Sequence, residues 1–300
     1  MEGRVEEPIK YDTVLNFPGE ISPTDMVGTL RVPRDSAVRT TPLPPRNWFQ
    51  RHEALLIGTI AVTIFFSGWQ GVASARIWSP LFLPGPADVW QAFVELVNDG
   101  ELAIDIAVSG QEFVIGYALA ALVGIPFGLL LGWYPRLRYA FDPFITFFYA
   151  TPRIVLIPLF IIWLGIGIES KIAVIYLGAV FAILINTIAG VRSLDASLLR
   201  VARSFGAGDL QIFRTIALPG SVPFILTGMR LGIGHALIGV VVAEYVAAQH
   251  GLGRMMMIAG STFQSPKVFV GLFMIAAAGL VLTYALQRLE RHFDAWRPQR

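Results

Sequence analysis

Six long, nearly charge-free runs decide what this chain can fold into. A helix needs roughly 20 apolar residues to cross about 30 Å of hydrocarbon, and runs of that kind lie at 54–75, 113–135, 141–168, 172–191, 223–247 and 268–287. The third carries Arg153, and the fifth carries Arg230, His235 and Glu244. Lipid offers no partners to backbone N–H and C=O groups, so each span must close its own hydrogen bonds as a helix. The expectation is an all-α polytopic membrane protein with six transmembrane helices.

Composition agrees. Of 300 residues, 55% are hydrophobic and 15% charged, against about a quarter charged in a soluble domain. Mean hydropathy is +0.62. Cysteine is absent, which excludes disulfides, thiolate metal sites and cysteine nucleophiles. His52, His235, His250 and His292 stand apart with no pair at ligand spacing, so no metal site is expected. A net charge of +2 is too small for nucleic-acid binding by bulk electrostatics.

Residues 1–50 read differently. Pro8, Pro18, Pro23, Pro33, Pro42, Pro44 and Pro45 interrupt a stretch of mixed charge with no apolar period, the pattern of a largely disordered tail. It is not a signal peptide, because the first long apolar run begins only at Ala54. The membrane domain is expected over 51–295.

Positive charge sets the orientation. One side would hold Arg39, Arg46, Arg51, Arg136, Arg138, Arg192, Arg200, Arg203, Arg214, Arg288, Arg291, Arg297 and Arg300. The other would hold Arg76, Lys171, Arg254 and Lys267. Thirteen cations against four put both termini, and the 1–50 tail, in the cytoplasm. The largest outer loop, 76–111, is acidic and should contain a short helix after Pro86, since Val89, Phe93, Leu96 and Val97 share a face. Gly124 with Gly128, and Gly228 with Gly232, are spaced for close helix approach, read here as packing within one subunit rather than as a dimer face.

The inner segment 193–222, SLDASLLRVARSFGAGDLQIFRTIALPGSV, is long for a connection. It reads as two short helices. Leu194, Leu198, Val201, Ala202 and Phe205 share the apolar face of the first, and Gly206 sits where a helix ends in a left-handed residue. Asp209 is expected to cap the second helix, Pro219-Gly220 to stop it, and Ser221 to cap the fifth span. A DNA-binding helix-turn-helix fits superficially, but both ends enter the bilayer within a few residues. A protrusion that docks an apolar ridge on a cytoplasmic partner fits better.

This segment resembles the coupling loop of binding-protein-dependent ABC importer permeases, whose signature is Glu-Ala-Ala, three residues, Gly, nine residues, Ile, one residue, Leu-Pro. Ala202, Gly206, Ile216, Leu218 and Pro219 stand at the matching spacings, while Arg200 and Val201 replace the usual Glu and Ala. Outside the loop, GYALAALVGIPFGLLLG (116–132), PLFIIWLGIG (158–167), LTGMRLGIGHALIGVVVAE (226–244) and GLG (251–253) are similar to the nitrate/sulfonate/taurine/bicarbonate branch. The likeness covers about 80–295.

The resemblance implies a type I importer permease fold and a bacterial inner-membrane location. It also implies a second permease copy, two cytoplasmic ABC ATPase subunits that bind ATP and Mg, and an external solute-binding protein. The docking residues would be Arg200, Val201, Ala202, Phe205, Gly206, Ala207, Ile216, Leu218 and Pro219. The implied substrate is a small anion such as nitrate, a sulfonate or taurine, with bicarbonate, aromatic acids and vitamin precursors as alternatives. No G-x-x-x-x-G-K-[ST] loop occurs, so this chain is expected to bind no ATP and to catalyse nothing itself.

Ionisable residues inside spans default to functional hypotheses. Arg153, framed by Pro152 and Pro158, marks a kinked or broken helix and a transient anion site, or else a cap for free carbonyls at the break or a pair with Glu244. Arg230 is near enough to its helix start to snorkel to the interface. His235 and Glu244 read as interhelical hydrogen-bonding partners. An ion-driven secondary transporter would usually need more spans or an inverted repeat, and a membrane enzyme would need paired carboxylates, a His cluster or a nucleophile–base set; neither pattern is present. Because the chain lacks cysteine, single cysteines report orientation directly. In intact cells, Ser197→Cys should resist a membrane-impermeant maleimide while Asp99→Cys is labelled; the opposite pattern would invert the topology.

Overall fold

The computed structural model describes residues 48–77, 79 and 81–293. The tail expected over 1–50 therefore lies outside the described residues except for 48–50, as do Arg39, Arg46, Arg297 and Arg300. The chain divides into two compact units, Met1–Thr59 and Ile60–Arg300. The described part of the first is the opening of helix α1 (Trp48–Ser74).

The second unit continues α1 and adds α2 (Pro86–Asn98), α3 (Glu101–Trp133), α4 (Pro135–Ala150), α5 (Ile157–Leu164) and α6 (Ile168–Arg192). Then follow α7 (Ala196–Ser204), α8 (Asp209–Ile212), α9 (Leu218–Ala247), α10 (Leu252–Ser261) and α11 (Ser265–Phe293). No strand occurs among the described residues. Five helices are long and apolar enough to cross a membrane, and a bent pair, α4 with the segment Arg153–Leu164, makes six if it counts as one span.

Helix α6 is the core of this unit. Of its most apolar window 56% is buried, against 11% for α11, so α6 is enclosed by protein and α11 is peripheral. What lets the neighbours close on it is a stripe of small residues. Gly116, Ala120, Gly124, Gly128 and Gly132 recur every four residues along α3, and the four glycines of this stripe are packed directly against α6. A Cβ on Gly128 would stand 2.6 Å from Thr187 Cβ, and one on Gly124 would stand 3.1 Å from the Val180 carbonyl. On the other flank, Gly228 and Gly232 of α9 close on Ala182 and Ile183, while Gly178 of α6 receives the His235 carbonyl. Both glycine pairs singled out by spacing thus pack inside the chain. Where lipid is as apolar as leucine, such close contact is what holds helices together.

The break expected beside Arg153 is present: within 141–168 the chain bends by 93° at Thr151-Pro152. A residue before proline is pushed out of the helical region, and Thr151 is extended at ψ 126°. Its hydroxyl and its amide both donate to the Phe147 carbonyl, at 2.8 and 3.0 Å, in the last turn of α4. Pro158 lies in the first turn of α5, where a missing N–H costs nothing.

Three expectations are corrected, the first being that of a stop at Pro219-Gly220, which does not end a helix. Asp209–Val246 is a continuous 38-residue helical stretch, with a π-turn at Phe213–Ala217 just before Pro219; such local adjustment absorbs the donor that proline lacks. Ser221 donates to the Ala217 carbonyl at 2.6 Å within the helix and caps nothing. Finally, α3 begins at Glu101, so the outer loop expected to end at 111 is eleven residues shorter at its far end, with its short helix in place as α2. Replacing Gly128 by Leu should destabilise the detergent-solubilised protein by about 1–3 kcal/mol. Gly110→Leu, at a glycine with nothing within 4 Å, should leave the unfolding midpoint unchanged. Equal midpoints for the two variants would contradict the packing described.

Candidate functional site

Two places combine exposure or a cavity with the residues that the sequence singles out. The first is the segment between α6 and α9. Asp195 caps α7 by accepting from the Ser197 amide at 2.7 Å. Hydrogen bonds from the Ser197 side chain and amide hold the Asp195 carboxyl below its usual range. Its charged form is therefore favoured in the folded state, and the cap is lost only as pH falls through that lowered value.

Gly206 ends the helix at φ 79°, as its position predicts. Asp209 does not cap: Gly208 holds that position, and Asp209 instead lies 3.7 Å from Arg203. No residue of α7 is buried. Its apolar side chains project as a ridge, with Leu198, Val201 and Phe205 respectively 50%, 52% and 88% exposed. Arg200 and Gly206 are exposed with them, whereas Ala202, Ala207, Ile216 and Pro219 are half-buried and Leu218 is at the edge of exposure. The base is anchored: Ile212 and Ala217 are fully buried, and Phe213 meets the Trp133 ring edge-on at 5.4 Å. An anchored foot therefore carries an apolar ridge that none of the described residues covers.

The second place is the bend after α4. A cavity of about 370 Å³ is lined by Tyr149, Thr151, Pro152, Arg153, Val174, His235, Gly239 and others. Arg153 Nη1 stands 3.4 Å from His235 Nδ1. A guanidinium only donates, so this contact needs Nδ1 as the acceptor. Of the five donors a guanidinium offers, His235 is the one hydrogen-bonding partner among the described residues. The bend thus brings Pro152, Arg153 and His235 together.

The other candidates lie elsewhere. Arg230 is ion-paired with Glu290 of α11. Glu244 makes no pair with Arg153; its Oε1 accepts from the Ser109 hydroxyl and its Oε2 from the Gly253 amide, both at 2.6 Å. The second bond belongs to a larger device. The free N–H groups that open α10, on Gly251, Leu252 and Gly253, donate in turn to Asp105, Ser109 and Glu244. A helix start offers unpaired donors and a partial positive charge, and two carboxyls and a hydroxyl from other helices take them. Gly251 is at φ 129°, and a side chain there would run into the Glu244 carboxyl. The letters GLG at 251–253 follow from this close approach.

Sequence reasoning placed Asp105 and Lys171 in outer loops and passed over Ser109 and Glu112. The signal was present: Leu102, Asp105, Ser109, Glu112, Phe113 and Gly116 recur at three- and four-residue steps, one helix face, and all are buried.

Residues 124–296 match the family of binding-protein-dependent transport system inner membrane components. A probable ABC transporter permease protein of Brucella melitensis is 37% identical over 82% of this chain and 99% of its own length. The taurine transport system permease protein TauC of Escherichia coli is 36% identical, covering 82% of this chain and 90% of that relative. The putative aliphatic sulfonates transport permease protein SsuC of Bacillus subtilis is 34% identical, covering 89% and 95%. Among solved structures, the inward-facing MetNI methionine ABC transporter shares the fold with a TM-score of 0.54 at 19% identity, over 66% of this chain and 96% of that one. The chain belongs to the binding-protein-dependent transport system inner membrane components, the membrane-spanning permeases of ABC importers.

Proposed function

We propose that this permease forms the pathway for a small organic anion of the sulfonate class, taurine included, and takes its driving force from a separate ATPase that docks on the α7 ridge. The observation that carries the reading is that ridge. Contiguous exposed apolar surface marks an interaction site, and here it stands on an anchored foot with Phe205 at 88% exposure. The arginine excess on the same side supports a cytoplasmic location for it. The complex would hold two copies of this chain in a bacterial inner membrane, two ATPase subunits that bind ATP and Mg, and an external binding protein that delivers the solute.

The anionic class rests on Arg153, a cation with unused donors that lines a cavity at a helix break. Discontinuous helices recur at transporter binding sites, and a guanidinium fork matches sulfonate oxygens as it does carboxylate and phosphate. The names of the taurine and sulfonate relatives point to the same class.

Two variants test the two halves of the reading. In the complex assembled with its own ATPase and binding protein, Arg153→Ala should lower taurine or alkanesulfonate uptake about tenfold or more, as expected for loss of a charge-assisted bond, while basal ATP hydrolysis persists. Undiminished uptake removes Arg153 from the pathway. Phe205→Asp should abolish co-purification of the ATPase while the permease remains monodisperse; an intact complex with normal transport overturns the docking role.

A further inference from the structure

At the end of the bundle opposite α7, the helices bury more charge than they balance. Helix α3 brings Glu101, Asp105 and Glu112, α6 brings Lys171, and α9 brings Glu244; His250 and Arg254 come from the turn into α10 and its first residues. The outer part of this set is reached by solvent, since Glu101 and His250 are exposed. Asp105 lies 3.9 Å from His250 and within reach of the charges of Arg254 and Glu101.

The inner part is not. Glu112 and Glu244 are 1% and 0% exposed, and Lys171 is 8% exposed. Lys171 is ion-paired with Glu112 Oε1. The carboxyl of Glu244 neighbours that of Glu112, and Glu112 Oε2 is buried and receives no donor from the described residues.

Ionised carboxylates only accept, so Glu244 can satisfy the partnerless Glu112 Oε2 only when a proton lies between them. Charge gives the same answer. Two carboxylates against one ammonium leave a net negative charge away from water, which is expensive inside a membrane protein. One added proton brings the group to neutrality and supplies the missing donor.

We infer that Glu112 and Glu244 share a single proton at neutral pH, making this buried pair a proton-binding site. The proton ties α3 to α9. Because Glu244 also holds the Gly253 amide, and Ser109 the Leu252 amide, it also keeps the start of α10 seated on the bundle. Loss of the proton sets two like charges against one ammonium and loosens that seat.

The inference stands apart from the transport reading, and its test needs no transport. In a maltoside detergent, which has no ester carbonyl, the wild-type protein at neutral pH should show an infrared carboxylic-acid C=O band that shifts in D2O. The band should vanish in Glu112→Gln and in Glu244→Gln, because either change leaves one carboxylate for Lys171. A second readout is thermal. Carboxyls of an unfolded chain are ionised at neutral pH, so the folded state holds one proton more, and the wild-type unfolding midpoint should fall as pH rises from about 6 to 8. Glu112→Gln should remove that slope. A wild-type spectrum without the band, a band that survives either substitution, or an unchanged slope overturns the shared proton. Should a variant fail to fold, the wild-type spectrum still decides.

Discussion

The grip of α3 and α9 on α6 is the contact on which the second unit depends. Hydrophobic burial does not hold helices together where the surrounding solvent is itself apolar. Close contact does, and it requires glycines: the backbones of α3 and α6 touch where Gly116, Gly124, Gly128 and Gly132 leave room, and α9 meets α6 through Gly228, Gly232 and Gly178. With those three helices fixed, the polar groups between them are fixed as well. The Arg153–His235 contact depends on where α9 places His235, and the capping of α10 depends on where α3 and α9 place Asp105, Ser109 and Glu244.

Prolines shape the functional regions because each removes a donor that the surroundings must replace. At Thr151-Pro152 no helical turn replaces it, and the outcome is a bend of 93° that opens a cavity beside an arginine. At Pro219 the replacement is a π-turn, and the outcome is the opposite, a helix that runs unbroken from Asp209 to Val246. Any force applied to the α7–α8 foot enters α9 directly, and α9 carries His235 to the cavity and Glu244, roughly 13 Å further along, to the buried charge cluster.

The broad architecture was legible in the letters because membrane spans are set by length and apolarity, which a sequence states outright. The ridge was legible for a similar reason: Leu198, Val201 and Phe205 follow the helical period, and Gly206 marks the end. What the letters hid depends on contacts between distant residues. Asp105, Ser109, Glu112 and Lys171 look like the polar edge of a loop until α9 and the start of α10 are placed beside them, and only then do they become a buried set. The partners of Arg153 and Arg230 were hidden likewise, since His235 and Glu290 lie 82 and 60 residues away in sequence. Pro219 was misread because a proline-glycine pair predicts a stop on local grounds, while a π-turn five residues long compensates one turn earlier.

The central claim is that this chain moves its solute only when a separate ATPase drives it. Reconstitution in proteoliposomes tests this most directly. With the chain alone, an imposed ion or solute gradient should drive no accumulation of a sulfonate; with the ATPase and binding protein added, accumulation should follow ATP hydrolysis and stop when hydrolysis is blocked. Gradient-driven accumulation by the chain alone would contradict the account.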